Sequence, residues 1–202
     1  EGIRDRNFAA ASAFAFQGLE VDDDPGTTPL VAPLLEYSVS LNSPRLPSPL
    51  QIDASAVSLY RQDGFDSRRL SVNGNLQIPY LDNFGSIYTL TTNLGIDLYH
   101  LNGFTVAGQA NSNTTITGIE TRLWPLLALD WRMPFVRSEG SIRQVVEPVV
   151  QVILAPYGGN PKEIPNEDSR SLEFDDTNLF SLNRFPGNDR VESGPRANIG
   201  FK

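Results

Sequence analysis

The sequence predicts an all-β chain: a segment of an antiparallel transmembrane β-barrel, with about eight long strands and one long outer loop, the barrel left incomplete. Three observations predict it. Apolar and polar residues alternate with period two, the alternating runs are longer than ordinary strands, and the connections switch between short and long. In the cleanest run Leu70, Val72, Gly74, Leu76, Ile78 and Tyr80 share one face, while Arg69, Ser71, Asn73, Asn75 and Gln77 share the other.

Taken in order, the expected strands are 7–18, 30–41, 50–61, 68–81, 86–100, 116–134, 142–156 and 191–202, all within one barrel domain that takes in residues 1–202. The first three alternate more weakly. In the fifth, Tyr88, Leu90, Thr92, Leu94, Ile96 and Leu98 oppose Thr89, Thr91, Asn93, Gly95 and Asp97. In the sixth, Ile119, Leu123, Leu127, Leu129 and Trp131 oppose Glu120, Arg122, Asp130 and Arg132. In the seventh, Ile142, Val146, Val150, Val152 and Leu154 oppose Arg143, Glu147 and Gln151. Globular strands usually run ~5–6 residues, whereas a tilted bilayer crossing takes ~9–11. Tyr60, Tyr80, Tyr88, Tyr99, Trp131 and Tyr157 fall near run ends, as an interfacial girdle would. Pro125 and Pro148 each remove a ladder donor and predict a bulge or local gap.

The connections at 42–49, 82–85 and 136–141 are compact, 62–67 is of middling size, 19–29 and 101–115 are longer, and the one starting at 157 is the longest. Short turns on one side and long loops on the other are the asymmetry of an outer-membrane barrel, which puts 19–29, 62–67, 101–115 and 157–190 outside. The acidic stretch 157–190 loses alternation and carries Gly158-Gly159, Pro161 and Pro165. A short helix is expected near 176–182, with Asp175 or Asp176 as its N-cap. The chain opens on Glu1 and closes on Ile199-Gly200-Phe201-Lys202 within an apparent strand, so it reads as an interior piece of something longer.

Composition narrows the function. Sixteen Lys+Arg against 24 Asp+Glu leave a net charge of −8, which argues against a nucleic-acid partner. With no cysteine, disulfide scaffolds, thiolate metal sites and cysteine nucleophiles are excluded. The single histidine, His100, excludes multi-histidine metal centres and reads as an exposed strand-end residue rather than part of a triad. Asp22-Asp23-Asp24 lacks the spacing of a calcium loop and reads as a solvated turn. The acidic set Glu167, Asp168, Glu173, Asp175 and Asp176 reads as a soluble loop, and Tyr157-Gly158-Gly159-Asn160-Pro161 as a turn. No catalytic residue, cofactor or metal is expected, and the chain reads as non-enzymatic. On the polar parity, Arg122, Asp130, Arg132, Arg143 and Glu147 occupy two consecutive expected strands. Charges are expensive on a lipid face, so this parity faces the lumen. There the five residues form a cross-strand ladder that holds the wall, a lining for a plug or a sugar cargo, or both.

The C-terminal third carries a recognisable string. It runs Asn166-Glu167-Asp168-Ser169, Phe174-Asp175-Asp176-Thr177-Asn178-Leu179-Phe180, Asn183-Arg184-Phe185-Pro186-Gly187, Asp189-Arg190-Val191-Glu192 and Gly194-Pro195-Arg196. With Ala32-Pro33-Leu34-Leu35-Glu36-Tyr37, Arg122-Leu123-Trp124-Pro125, Val146-Glu147-Pro148 and Ala155-Pro156-Tyr157 upstream, it resembles the barrel domain of the LptD (OstA/Imp) family of lipopolysaccharide-assembly proteins. The loop positions that carry the resemblance are Asp168, Asn178, Phe180, Arg184, Gly187, Asp189 and Arg190.

The resemblance implies a Gram-negative outer-membrane barrel that inserts lipopolysaccharide into the outer leaflet. It implies an LptE-like plug lipoprotein, an LptA-like periplasmic bridge received by a domain outside this stretch, and outer-membrane lipid around the wall. By family position Asp189 and Arg190 anchor the long loop at the barrel mouth, or pair within it. The family's disulfide-forming cysteines have no counterpart here. Two other classes stand beside this reading: a complete small outer-membrane barrel (adhesin or phospholipase-like), and a soluble β-sandwich binding module.

Overall fold

A computed structural model describes residues 2–4, 7–17, 24–107, 113–140, 142–169, 171–172 and 175–202. Asp22, Asp23, Glu173 and Phe174 lie outside the described residues. The strands are β1 (Gly2–Arg4), β2 (Asn7–Ala15), β3 (Leu30–Leu41), β4 (Leu50–Tyr60), β5 (Asp66–Leu81), β6 (Ile87–Ala107), β7 (Asn113–Arg132), β8 (Phe135–Glu139), β9 (Ile142–Val146), β10 (Pro148–Leu154) and β11 (Arg196–Phe201). Nine of them form one antiparallel sheet in the order β1-β2-β3-β4-β5-β6-β7-β10-β11, and β8 and β9 pair as a separate hairpin. Among the described residues no helix forms and β1 does not meet β11, so the sheet is an open barrel segment. That removes the complete small barrel. Among the described residues the other sheet is the two-stranded β8-β9 hairpin, too small to make a sandwich.

Where the alternation is cleanest the ladder is most regular. β5 and β6 pair without interruption from Asp66↔Asn102 to Leu81↔Ile87. β6 and β7 pair from Ile87↔Arg132 to Leu101↔Gly118, then shift register. At that shift Gly103 takes φ 78°, and its N–H donates to Thr117 Oγ1 at 3.2 Å. The long connection expected at 101–115 is therefore mostly an extension of these two strands beyond their neighbours.

Three expectations need correction. The run 142–156 is not one strand. Its first half, β9, turns back on β8, and the expected turn at 136–141 lies inside that hairpin. Pro148, which has no N–H to give a ladder, opens β10 instead of bulging within it. Pro125 makes no bulge either; it pairs with Leu94 in unbroken register. β10 stops pairing with β7 at Leu127, which leaves at Pro125 the local gap in the ladder that was the other expectation there. Finally, the short helix expected near 176–182 is a turn. Asp175 Oδ1 accepts from the backbone N–H groups of Thr177 (2.9 Å) and Asn178 (3.1 Å), closing an Asx turn in place of a helical cap.

The two faces of the sheet differ in kind. One carries Leu35, Tyr37, Leu70, Val72, Leu94, Ile96, Leu98, Leu123, Leu127, Leu129, Val152 and Ile199, all exposed; Leu123 is 64% and Ile199 70% accessible. A row of aromatics crosses its short-turn end, Tyr80↔Tyr88↔Trp131, with the two tyrosine rings 6.2 Å apart. Most of the buried residues belong to the other face, where the described residues of 155–195 lie against the wall as a strap. There Tyr99, Leu101 and Ile164 form one core cluster, and Leu126, Ala128 and Ile153 another with Leu182. Tyr99 is thus not a girdle residue: it is 1% exposed beneath the strap.

Two open sheet edges and a broad exposed apolar face are features that promote association in water. The isolated chain is expected to aggregate in water and to disperse only above the critical micelle concentration of a detergent. Light scattering across a detergent titration checks this.

Candidate functional site

The face under the strap, here called the inner face, is the polar parity of each strand. β4 supplies Asp53 and Ser55, β5 supplies Arg69, Ser71 and Asn73, β6 supplies Asn93, Asp97 and Tyr99, and β7 supplies Arg122 and Trp124. The register sets these side by side: Ser55↔Ser71, Ser71↔Asp97 and Asp97↔Arg122 are direct cross-strand partners. A cavity of ≈ 440 Å³ between strap and wall is lined by Glu36, Asp53, Asn73, Asp97, Trp124 and Asn188, among others.

Three buried guanidiniums, those of Arg122, Arg69 and Arg61, hold the strap. Arg122 donates to its wall neighbour Asp97 at 2.7 Å, to the Asp189 carbonyl at 2.8 Å and to the Asn188 carbonyl. Arg69 Nη1 lies 2.6 Å from both Asp168 Oδ2 and Asp189 Oδ1. Asp189 also accepts from the Tyr99 hydroxyl at 3.1 Å and, through Oδ2, from the backbone N–H of Glu167 at 2.7 Å. At the edge of this set Arg61 pairs with Glu167. Burial pushes the Asp168 carboxyl up. The Arg69 guanidinium and the backbone N–H groups of Asp189 and Asn188 outweigh that and hold it at about 2.

Glycine lets the strap approach this closely. A Cβ at Gly159 would overlap the Trp124 indole and Val191, and one at Gly187 would overlap the Asp168 carboxylate. The described residues of the strap form no strand, and their backbone is satisfied by turns, carboxylates and side-chain amides. Asn160 bridges both polar groups of Val191 at 2.7 and 2.9 Å. Asn183 joins the Arg190 carbonyl to the Glu192 N–H at 3.0 and 3.2 Å.

The loop residues singled out from sequence divide by role. Asp168 and Asp189 reach the wall. Arg190 stays within the strap, donating to the Ile164 carbonyl at 3.1 Å. Arg184 pairs with Glu192, which burial pushes up but Arg184 and Arg196 hold below the ordinary range. Asn178 closes the Asp175 turn. The Phe180 ring packs on Gly200, and its carbonyl accepts from Gln151 at 2.9 Å. Gly187 lies against Asp168.

The five charges expected to share a lumen wall are only partly together. Arg122, Asp130 and Arg132 are on the inner parity of β7. Asp130 takes a 2.8 Å bond from Gln151, and Arg132 pairs loosely with Glu147 at 3.6 Å. Arg143 does not join them, because β9 leaves the sheet; it is exposed on the hairpin. His100 is exposed on the opposite face from Asp97, between Arg68 and Ile119. The sequence reading passed over Arg61, Arg69, Asp97, Tyr99 and Gln151 as site residues. Arg69, Asp97 and Gln151 carried the available signal: a polar or charged residue on the polar parity of a long strand. Tyr99 reads as a strand-end aromatic and Arg61 as a loop residue, and their carboxylate partners, Asp189 and Glu167, come only from the strap.

Two outcomes follow for the latch. Arg69→Ala leaves two carboxylates without their cation and is expected to cost about 3–5 kcal/mol; Gly159→Ala is expected to cost about 1–3 kcal/mol by overpacking on Trp124. Denaturant unfolding of the detergent-solubilised full-length protein measures both. Because the folded Asp168 carboxyl sits at about 2, below its ordinary 3.8, its contribution is complete above pH ~4 and is lost as pH falls towards 2. Protease cleavage within 155–195 is therefore expected to stay constant from pH 8 to 4 and to rise only below that, which a pH series with an acid-tolerant protease reads.

Comparison with known proteins places this geometry. The family model described as "LptD: LPS transport system D" matches residues 3–202. The LPS-assembly protein LptD of Aeromonas hydrophila is 36% identical over 97 residues, 46% of this chain and 12% of that protein. That of Escherichia coli O1:K1 is 28% identical over 145 residues, 69% of this chain and 18% of that protein. That of Coxiella burnetii is 33% identical over 98 residues, 46% of this chain and 10% of that protein. The matched region thus spans between a tenth and a fifth of each relative. A family match across nearly the whole of an open antiparallel sheet, apolar on one face and polar on the other, makes the chain a member of the LptD family.

Proposed function

We propose that this chain forms part of the wall of an outer-membrane barrel that moves lipopolysaccharide to the outer leaflet, and that it makes or breaks no bond in doing so. The observation that carries the reading is the polarity of the sheet in a member of this family. From Tyr88 to Leu98 the outward face of β6 runs about 34 Å along the strand at ~3.4 Å per residue. Tilted by roughly 45°, it covers about 24 Å of thickness, close to the apolar band of ~25 Å in such barrels. Hydrocarbon satisfies this face where water does not. The inner face offers the opposite solvent, with Ser, Asn, Asp and Arg groups for a hydrated sugar head.

In this reading the Gram-negative outer membrane is the location and 1–202 belongs to the barrel domain. The inner-parity residues Arg122, Asp130, Arg132 and Glu147 line the lumen beneath the strap. The partners are lipopolysaccharide, an LptE-like plug lipoprotein in the lumen, and an LptA-like bridge reached through parts of the protein outside this chain. The strap, tied to the wall by Asp168 and Asp189, narrows the lumen at the long-loop end. The driving energy comes from elsewhere, since the described residues hold no phosphate loop or nucleotide pocket.

In a Gram-negative cell depleted of its own LPS-assembly barrel, the full-length protein carrying this segment is expected to restore lipopolysaccharide at the surface, read by accessibility to an outer-leaflet modifying enzyme. A well-expressed, membrane-inserted protein that leaves surface lipopolysaccharide at the depleted level would exclude the reading.

A further inference from the structure

The charge match between strap and wall is one-sided at Arg69. Without the strap, Arg122 keeps Asp97 at 2.7 Å, and Arg61 keeps the Thr27 and Phe65 carbonyls at 3.1 Å each. Among the described residues Arg69 keeps nothing: both of its ion pairs are to strap carboxylates. Its side chain is 91% buried, both bonds fall on Nη1, and its buried Nε has no partner among the described residues. Nature uses a guanidinium fork to grip planar or tetrahedral oxyanions through two nitrogens; here the fork is engaged through one. The wall's Tyr99 hydroxyl points at the same Asp189 oxygen. A second cavity, of ≈ 320 Å³, opens onto this spot and brings Phe14, Leu34, Val57 and Leu59 alongside Arg69, Asp168 and Asp189.

We infer that Arg69 and Tyr99 form a phosphate-binding site on the barrel wall, and that Asp168 and Asp189 occupy it as built-in stand-ins for the ligand. The inference rests on the transport reading and extends it. Two carboxylates bring two negative charges to one guanidinium. A phosphate monoester carries about −1.5 to −2 at neutral pH and replaces both. Tyr99 then donates to a phosphate oxygen instead of Asp189, and Nε gains the acceptor it lacks. Ligand binding and strap release become one exchange, so burying a charge on Arg69 never requires an unpaired intermediate. The phosphate belongs either to the sugar head of the cargo or to the free ion.

The test uses the full-length protein carrying this segment, with any subunit that co-purifies, in lipid nanodiscs. The probe is a bis-phosphorylated glucosamine disaccharide, with its unphosphorylated counterpart and inorganic phosphate beside it. Asp168→Asn with Asp189→Asn removes the stand-ins and is expected to tighten probe binding about tenfold. Adding Arg69→Gln to that variant is expected to abolish the gain, and the unphosphorylated disaccharide should show no dependence on Arg69. Competition by inorganic phosphate at matching concentration assigns the site to the phosphate group alone; lack of competition assigns it to the phosphorylated sugar. Unchanged affinity in the doubly neutralised, folded protein overturns the inference, as does binding indifferent to Arg69. Should that variant fail to fold, a Ser55→Cys, Asn188→Cys pair tethers the strap where the two side chains lie 3.5 Å apart. The oxidised tether is expected to exclude the probe and the reduced form to admit it, and equal binding in both states overturns the site. Restored surface lipopolysaccharide together with no phosphate binding would leave the transport reading standing and remove only this one.

Discussion

A guanidinium cannot be taken out of water without a counter-charge, and Arg69 and Arg122 are both taken out of water on the same face of the sheet. Everything on that face follows from how they are paid back. Arg122 has a wall partner and uses its remaining donors to seize strap carbonyls. Among the described residues Arg69 has only the strap. The strap must therefore lie flat on the wall, and a segment without ladder pairing can do so only if its own polar backbone is closed by side chains. The asparagines at 160 and 183 do that, and Gly159 and Gly187 remove the side chains that would hold it off.

The same constraint explains why the buried residues sit where they do. In a water-soluble sheet the apolar parity would be the core. Here that parity is exposed across β3 to β11, and the small core clusters around Tyr99 and Ile153 lie on the polar parity, between wall and strap. In the proposed reading hydrocarbon covers the apolar parity and a hydrated interior meets the other. The inner face then serves two ends: at the long-loop side it is sealed by the latch, and elsewhere its Asn, Ser and Asp side chains are free to meet water or a polar cargo.

The strand and the helix that the sequence predicts fail for separate reasons. The expected strand 142–156 splits because alternation continues through Glu147, while the chain leaves the plane of the sheet between β9 and β10. Arg143 follows the hairpin, so it falls out of the charge set although its parity is correct. The helix expected near 176–182 gives way to an Asx turn, in which the Asp175 carboxylate takes the same two backbone N–H groups that it would take as a helix cap, and Phe180 packs on Gly200 of β11.

By itself the sequence determined the all-β class, the long antiparallel strands and the identity of the polar and apolar faces, since period-two alternation is a local property that pleating converts directly into sidedness. It also carried the family resemblance in the strap motif. Only the tertiary structure decided that the strap folds against the inner face, that Asp168 and Asp189 share one arginine separated from them by about a hundred residues of chain, and that Tyr99 is buried where a girdle aromatic was expected. Those pairings join residues remote in sequence and depend on register across several strands, so no local pattern could specify them.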